Sequence, residues 1–255
     1  MIDLRLRTET LAARTAQHPG DLVATRGGVV VGFISTDGWG GPAVEATGAV
    51  LPAARRSGVG RALLVALQEQ CRAQAAGRLL VLADRGSRAA RPLLSGAGAT
   101  LAHAEHVMQL DASAVAAVAP RAVTARQATP AELPLVAALI AADWGAGEEF
   151  ALETIRGNTG ATYYLVLHGE TPIGTLNVQI VNGRAYIYGF SIAAEHRRRG
   201  FGRQALMTVI DHERAHGALF LEVDEMNAHA YVLYCSVGFR TIRTFDYWDL
   251  PLNTR

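Results

Sequence analysis

The chain has 255 residues, half of them hydrophobic and 18% charged, with a formal net charge of +1. That length suits two domains of about 100–150 residues better than one, and that composition supports buried cores rather than disorder. The balanced charge provides no clustered basic excess for nucleic acid, and no apolar run reaches the roughly 20 residues of a membrane helix. All 24 basic residues are arginine, which rules out a lysine nucleophile or a P-loop lysine. Cys71 and Cys235, with no secretory pattern at the start, read as free thiols, and the expected compartment is the cytoplasm.

In chain order, Leu4–Arg7, Leu22–Thr25 and Val44–Leu51 read as strands. The segment Pro52-Ala-Ala-Arg-Arg-Ser-Gly-Val-Gly-Arg61 follows, then a helix-like stretch from Gly60 to Ala75 and a short buried strand, Leu79–Leu82. A strand over His106–Leu110 closes this half. The Ala- and Val-rich stretch that follows, ending in Ala119-Pro120, reads as a linker. A new unit opens at Val123, with Thr129 as helix N-cap, proline at the first helical position and a helix over Pro130–Ala142. Strands are expected at Tyr163–Leu167 and Ala185–Ile192. Then come Ala194-Glu-His-Arg-Arg-Arg-Gly-Phe-Gly-Arg203, a helix over Gly202–His216, a strand over Leu219–Val223 and a closing strand over Thr244–Leu250.

The two halves repeat one pattern. Gly58 and Gly200 stand 142 residues apart, each between an apolar strand and a helix. Downstream, Ser87, Ala90, Leu93, Leu94, Gly98 and Ala99 match Asn227, Ala230, Leu233, Tyr234, Gly238 and Phe239 at identical spacing. The boundaries read as 1–111 for the first domain, 112–121 for a linker and 122–255 for the second domain. The halves differ at their starts, where the second has room for two helices that the first lacks.

The stretch Arg197-Arg-Arg-Gly-Phe-Gly-Arg203 carries the chemistry. Glycine at 200 and 202 permits positive φ and close approach to the backbone. The free N–H groups of the first helical turn make an anion site, with charge from Arg197, Arg198, Arg199 and Arg203, and a pyrophosphate is the natural guest.

With these residues in place, the second half resembles the GNAT acetyltransferase superfamily, whose motif is Arg/Gln-x-x-Gly-x-Gly/Ala after the fourth strand. The first half resembles it more weakly, and the whole chain is similar to tandem GNAT proteins. The resemblance implies two α/β (α+β) domains, each a mixed, mostly antiparallel sheet flanked by helices. It implies acetyl-CoA as co-substrate with no metal, and an amine acceptor, small molecule or peptide, in a monomer or homodimer. It assigns Phe190, Ser191 and Ile192 to the pantetheine arm and Arg197–Arg203, with Gly200, Phe201 and Gly202, to the pyrophosphate. Asn227 is assigned to the CoA chain and Tyr234 to protonating the departing thiolate. A backbone N–H near Ile192 is the expected oxyanion donor.

Mycothiol-synthase-like members of that family carry a carboxylate four residues before the pantetheine tripeptide, where this chain has Tyr186. Glu222 or Asp224 is a substitute base, with Glu222 taken as the candidate. In the first half Arg55, Gly58 and Gly60 keep the loop, but Leu94 stands at the place of Tyr234, which implies a structural domain or one that only binds CoA. Two rival readings remain. One is a tandem module that binds acyl-CoA without turnover. The other is a zinc hydrolase through His212-Glu-Arg-Ala-His216, which fits H-E-x-x-H but has no third ligand at a known spacing.

Overall fold

The computed structural model describes residues 20–39, 41–111, 113, 122–145, 147–213 and 217–252. The expected strand Leu4–Arg7 and most of the linker lie outside the described residues. The chain forms two compact units: residues 1–105 with 244–255, and residues 106–243.

In the first unit, β1 (Leu22–Arg26), β2 (Val29–Asp37) and β3 (Val44–Val50) run antiparallel, and β3 pairs in parallel with β4 (Leu79–Asp84). Helix α1 (Val59–Ala73) buries Leu63, Leu64, Leu67 and Cys71, a stripe at helical spacing, against Ile34, Val44, Ala46, Leu79 and Val81. The short helix α2 (Ala90–Gly96) adds Leu94 to that core.

Two strands serve both units. The division falls within β5 (Thr100–Leu110) and within β11 (Phe239–Asp249). The C-terminal part of β11 runs antiparallel to β4, from Phe245 opposite Asp84 to Asp249 opposite Leu80. Trp248 and Leu250 are buried with α1 and β4. Arg78 pairs with Asp249 at 2.7 Å, Arg85 with Asp246 at 2.8 Å, and the Tyr247 hydroxyl donates to Glu105 at 2.7 Å. Conversely, Met108 and Leu110 of β5 are buried with residues of the second unit. The sequence boundaries of 1–111 and 122–255 therefore differ from the compact units. Alternating apolar residues mark a segment as a strand without naming the strand it will pair with.

The second unit holds β6 (Val123–Gln127), α3 (Leu133–Trp144), α4 (Glu148–Gly157), β7 (Ala161–His168), β8 (Thr171–Val181), β9 (Arg184–Ile192), α5 (Phe201–Glu213), β10 (Leu219–Asp224) and α6 (Ala228–Ser236). Strands β6 to β9 are antiparallel in chain order, and β9–β10 is parallel. The sheet is thus mixed and mostly antiparallel, as expected. One face packs on α3 and α4 through Val136, Ala137, Ile140 and Ile155 against Tyr163 and Leu165. The other packs on α5 and α6, with Leu206, Val209 and Ile210 against Leu176, Val178, Ile187 and Leu221. The N-cap at Thr129 is present: the Glu132 carboxylate accepts from the Thr129 N–H and hydroxyl, each at 2.9 Å, and from Arg126. These bonds, that from Arg126 first, hold the Glu132 carboxyl down at about 2.

Within the H-E-x-x-H pattern, Glu213 has a structural contact. Glu213 is buried, and the Tyr164 hydroxyl donates to its carboxylate. Burial first, and this carboxylate second, push the Tyr164 phenol up to about 12. A glutamate so engaged is not an exposed base. His216 lies outside the described residues, and among the described residues no three metal-capable side chains cluster.

Candidate functional site

The site begins where two parallel strands part. β9 and β10 are paired only over Ala185–Leu219, Tyr186–Phe220 and Ile187–Leu221, yet β9 continues to Ile192 and β10 to Asp224. The opening coincides with a bulge: between Asn177 opposite Tyr188 and Thr175 opposite Ser191, Gly189 and Phe190 together face Leu176. Gly189 has φ +58°, a conformation glycine adopts at little cost. The extra residue inverts the alternation. Before it, Ala185 and Ile187 face α5; after it, Phe190 and Ile192 do so, packed with Phe201 and Ala205. Phe190, Ser191 and Ile192 therefore form one lip of a cleft, with backbone on the β10 side left without a strand partner.

The loop from β9 to α5 is built by the same devices as its counterpart in the first unit. Arg197 donates through Nε to the Ile192 carbonyl at 2.6 Å, and Arg55 donates to the Val50 carbonyl at 3.0 Å. Arg198 and Arg56 both have φ +59°, and Gly200 and Gly58 have φ +77° and +86°. Gln204 is the first helical N–H bonded backward, to the Gly200 carbonyl at 3.3 Å, so the N–H groups of Phe201, Gly202 and Arg203 have no backbone partner. Three free donors at the positive end of a helix fit an anion such as a pyrophosphate. Gly202 serves packing as well: a Cβ there would stand 3.3 Å from Leu233 and 3.5 Å from Phe190. Replacing Gly200 with alanine forces a left-handed L-residue, at a cost of about 1–2 kcal/mol. For the acetyl-CoA that the sequence resemblance implies at this loop, the expected result is an affinity weakened by about tenfold, read by calorimetry.

The arginines divide the work differently from the even charge the motif implied. Arg197 is spent on the Ile192 carbonyl and on an ion pair with Asp143 at the end of α3. Its side chain is a brace between strand end, loop and helix. The Arg199 guanidinium lies 4.8 Å from the Phe201 ring centroid, and Arg203 reaches the Ser236 carbonyl at 3.4 Å. Arg198 is exposed and makes no ion pair among the described residues.

Helix α6 supplies the opposite wall. Asn227 caps it, accepting from the Ala230 N–H at 3.1 Å, as Ser87 does for the Ala90 N–H at 3.3 Å in the first unit. The cap uses Oδ1 and leaves Nδ2 available. Tyr234 is buried edge-on to Phe239 with ring centroids 6.3 Å apart, and its hydroxyl makes no hydrogen bond among the described residues. Burial pushes its phenol up to about 12, so it holds its proton at neutral pH. Leu94, at the matching place in the first unit, is also buried and has no proton to give.

Glu222 lies on the other side of the sheet. Leu219, Leu221 and Val223 join the core under α5, so alternation turns Phe220 and Glu222 toward the opposite face. There Phe220 stacks on Tyr186 at 5.2 Å, and Tyr186 on Tyr188 at 6.1 Å. Asp224, the other carboxylate considered, accepts from the Met226 N–H at 2.7 Å and is occupied in the turn into α6. Tyr234 and Glu222 thus sit on opposite faces of the sheet, on either side of where β9 and β10 part.

A split parallel strand pair, a glycine-hinged loop and a helix N-terminus with free N–H groups meet at one end of this α/β sheet. Solved structures share the fold. A GCN5-related N-acetyltransferase from Sphaerobacter thermophilus superposes with TM-score 0.76 at 18% identity, covering 89% of this chain and 78% of that one. A tandem GNAT protein from the clavulanic acid biosynthesis pathway gives 0.68 at 22% identity, covering 92% and 83%. The acetyltransferase (GNAT) family model matches residues 3–98 and again 132–239, and the chain belongs to that family as a tandem member. Among curated proteins, the [ribosomal protein bS18]-alanine N-acetyltransferase of Salmonella typhimurium is 35% identical over an alignment of 97 residues that covers 36% of this chain and 66% of that relative, just under two thirds of its length.

Proposed function

We propose that the second unit transfers an acetyl group from acetyl-CoA to a primary amine, small molecule or peptide, while the first unit has a structural role. The observation that carries this reading is the contrast between Tyr234 and Leu94: the two units share one loop architecture, and one alone has a buried, protonated hydroxyl beside it. In this reading the thioester lies along Phe190–Ile192 with its pyrophosphate over Phe201–Arg203 and its chain passing Asn227. The neutral amine nitrogen attacks the carbonyl carbon, the C–N bond forms, and a backbone N–H of the β9 end stabilises the oxyanion. As the C–S bond breaks, Tyr234 gives its proton to the sulfur, and Glu222 takes the proton lost by nitrogen, directly or through water.

The test is a thiol-release assay with acetyl-CoA and a panel of amines. The expected result is CoA release matched by N-acetyl product. Calorimetric binding of acetyl-CoA with no product on any amine would favour a binding module instead.

A further inference from the structure

Asp143 stands where a helix does not favour a carboxylate. It is the last residue but one of α3, which Gly145 closes with φ +65° and an N–H bonded to the Ala141 carbonyl. The negative end of the helix dipole and its unpaired carbonyls lie there, so another negative charge weakens the helix taken by itself. Its partner is Arg197, 54 positions on, which donates to it through Nη2.

The same guanidinium donates through Nε to the Ile192 carbonyl at 2.6 Å. On the other side of that peptide group, the Ala193 N–H donates to the Ile173 carbonyl of β8 at 2.8 Å. The peptide joining Ile192 to Ala193 is thus held at both ends, at the tip of the strand whose Phe190–Ile192 stretch lines the cleft. The first unit repeats only half of this. There the Leu51 N–H donates to Val31 at 2.9 Å and Arg55 to the Val50 carbonyl at 3.0 Å, but Arg55 makes no ion pair among the described residues. The carboxylate is what the second unit adds to the shared loop. The side chains of Arg197 and Asp143 are 48% and 26% exposed, and ion pairs so placed contribute little to stability. Geometry is the stronger reason for this one. A guanidinium is a planar fork of fixed donors. Held at Nε alone it can turn about that bond; held at Nη2 as well, its plane is set, and with it the direction of the bond to Ile192.

We infer that Asp143 is a positioning residue for acetyl transfer: through Arg197 it fixes the Ile192 carbonyl, and so the strand end along which the thioester lies. Arg197 is then a part of the strand end rather than a ligand of the pyrophosphate. This inference rests on acetyl transfer in the second unit for its meaning, but it has a readout of its own in the order of that strand end.

The experiment uses the full chain with Asp143→Ala, Asp143→Glu and Arg197→Lys, the last keeping the charge without the fork. Alanine suits an exposed helix end, so a carboxylate with no positioning role would leave turnover unchanged when removed. Asp143→Ala is instead expected to lower kcat about tenfold, since a displacement of about 1 Å remote from the chemistry costs up to about a hundredfold. Its acetyl-CoA dissociation constant stays within about twofold, because the N–H groups of Phe201–Arg203 are untouched. Its denaturant midpoint does not fall. Asp143→Glu is expected to recover most of the lost kcat, and Asp143→Ala to add no loss in an Arg197→Lys background, as for residues acting as one unit. Hydrogen exchange at the Ala193 amide reads the strand end without turnover: it is faster in Asp143→Ala and restored in Asp143→Glu. Unchanged turnover in Asp143→Ala overturns the positioning role. So does a kcat loss that glutamate does not recover, or one matched by an equal loss of acetyl-CoA affinity. If the wild type acetylates no amine, acetyl transfer falls and the Ala193 amide alone decides: faster exchange in Asp143→Ala sustains the brace, and unchanged exchange overturns it.

Discussion

Replacing Tyr234 with phenylalanine is expected to lower kcat by about a hundredfold or more and to leave the acetyl-CoA dissociation constant within about twofold. The substitution removes one oxygen and keeps the ring against Phe239, so packing and the cofactor loop stay intact. The hydroxyl has no partner among the described residues to be orphaned, which separates this variant from one that fails by leaving a buried group unpaired. Stopped assays of turnover and calorimetry of acetyl-CoA binding read the two quantities separately. The pH dependence adds a sign. Burial raises the phenol to about 12, and the protonated acid is the active form. Loss of activity through Tyr234 deprotonation therefore falls near 12, above the working range, and the wild-type kcat holds as pH rises through 10. An unchanged kcat in the phenylalanine variant removes Tyr234 from proton transfer and leaves the cleft as a binding site.

The same residue shows what the sequence could reveal and where it could not. The repeat spacing aligned Leu94 with Tyr234, and both are buried on matching helices. Loop and cap were equally legible, because Gly58 and Gly200 must adopt a backbone that local sequence dictates, and because Ser87 and Asn227 cap their helices with side chains close in sequence. The division of labour among the arginines was not legible. Arg197 is held by a carbonyl on its own loop and by Asp143, more than fifty positions away, and no spacing rule links those two. Gly189 did carry a signal, since glycine within a strand marks a bulge or a close approach, and here it marks the bulge.

Ending the chain at Arg243 is expected to unfold the first unit rather than the second. If the domains followed sequence order, removing residues 244–255 would strip the last strand from the second domain. In the folded chain Phe245–Asp249 pair with β4, and Trp248 and Leu250, 5% and 1% exposed, lie among Leu67, Leu79 and Cys71. Emptying one such large site costs about 3–5 kcal/mol, against a total stability for a domain of about 5–15 kcal/mol. Removing both side chains and a strand of ladder hydrogen bonds exceeds what a unit of this size can lose. Hydrogen exchange locates the damage: protection should vanish at Leu63–Cys71 in α1 and persist at Leu206–Ile210 in α5. Trp248→Ala is the milder version, with the same amides exchanging faster by the equivalent of about 3–5 kcal/mol. Loss of protection in α5 instead of α1 would return the C-terminal strand to the second unit. The expected pattern makes residues 244–255 part of the N-terminal fold, so a fragment cut at the apparent linker would carry away a strand that belongs to the half left behind.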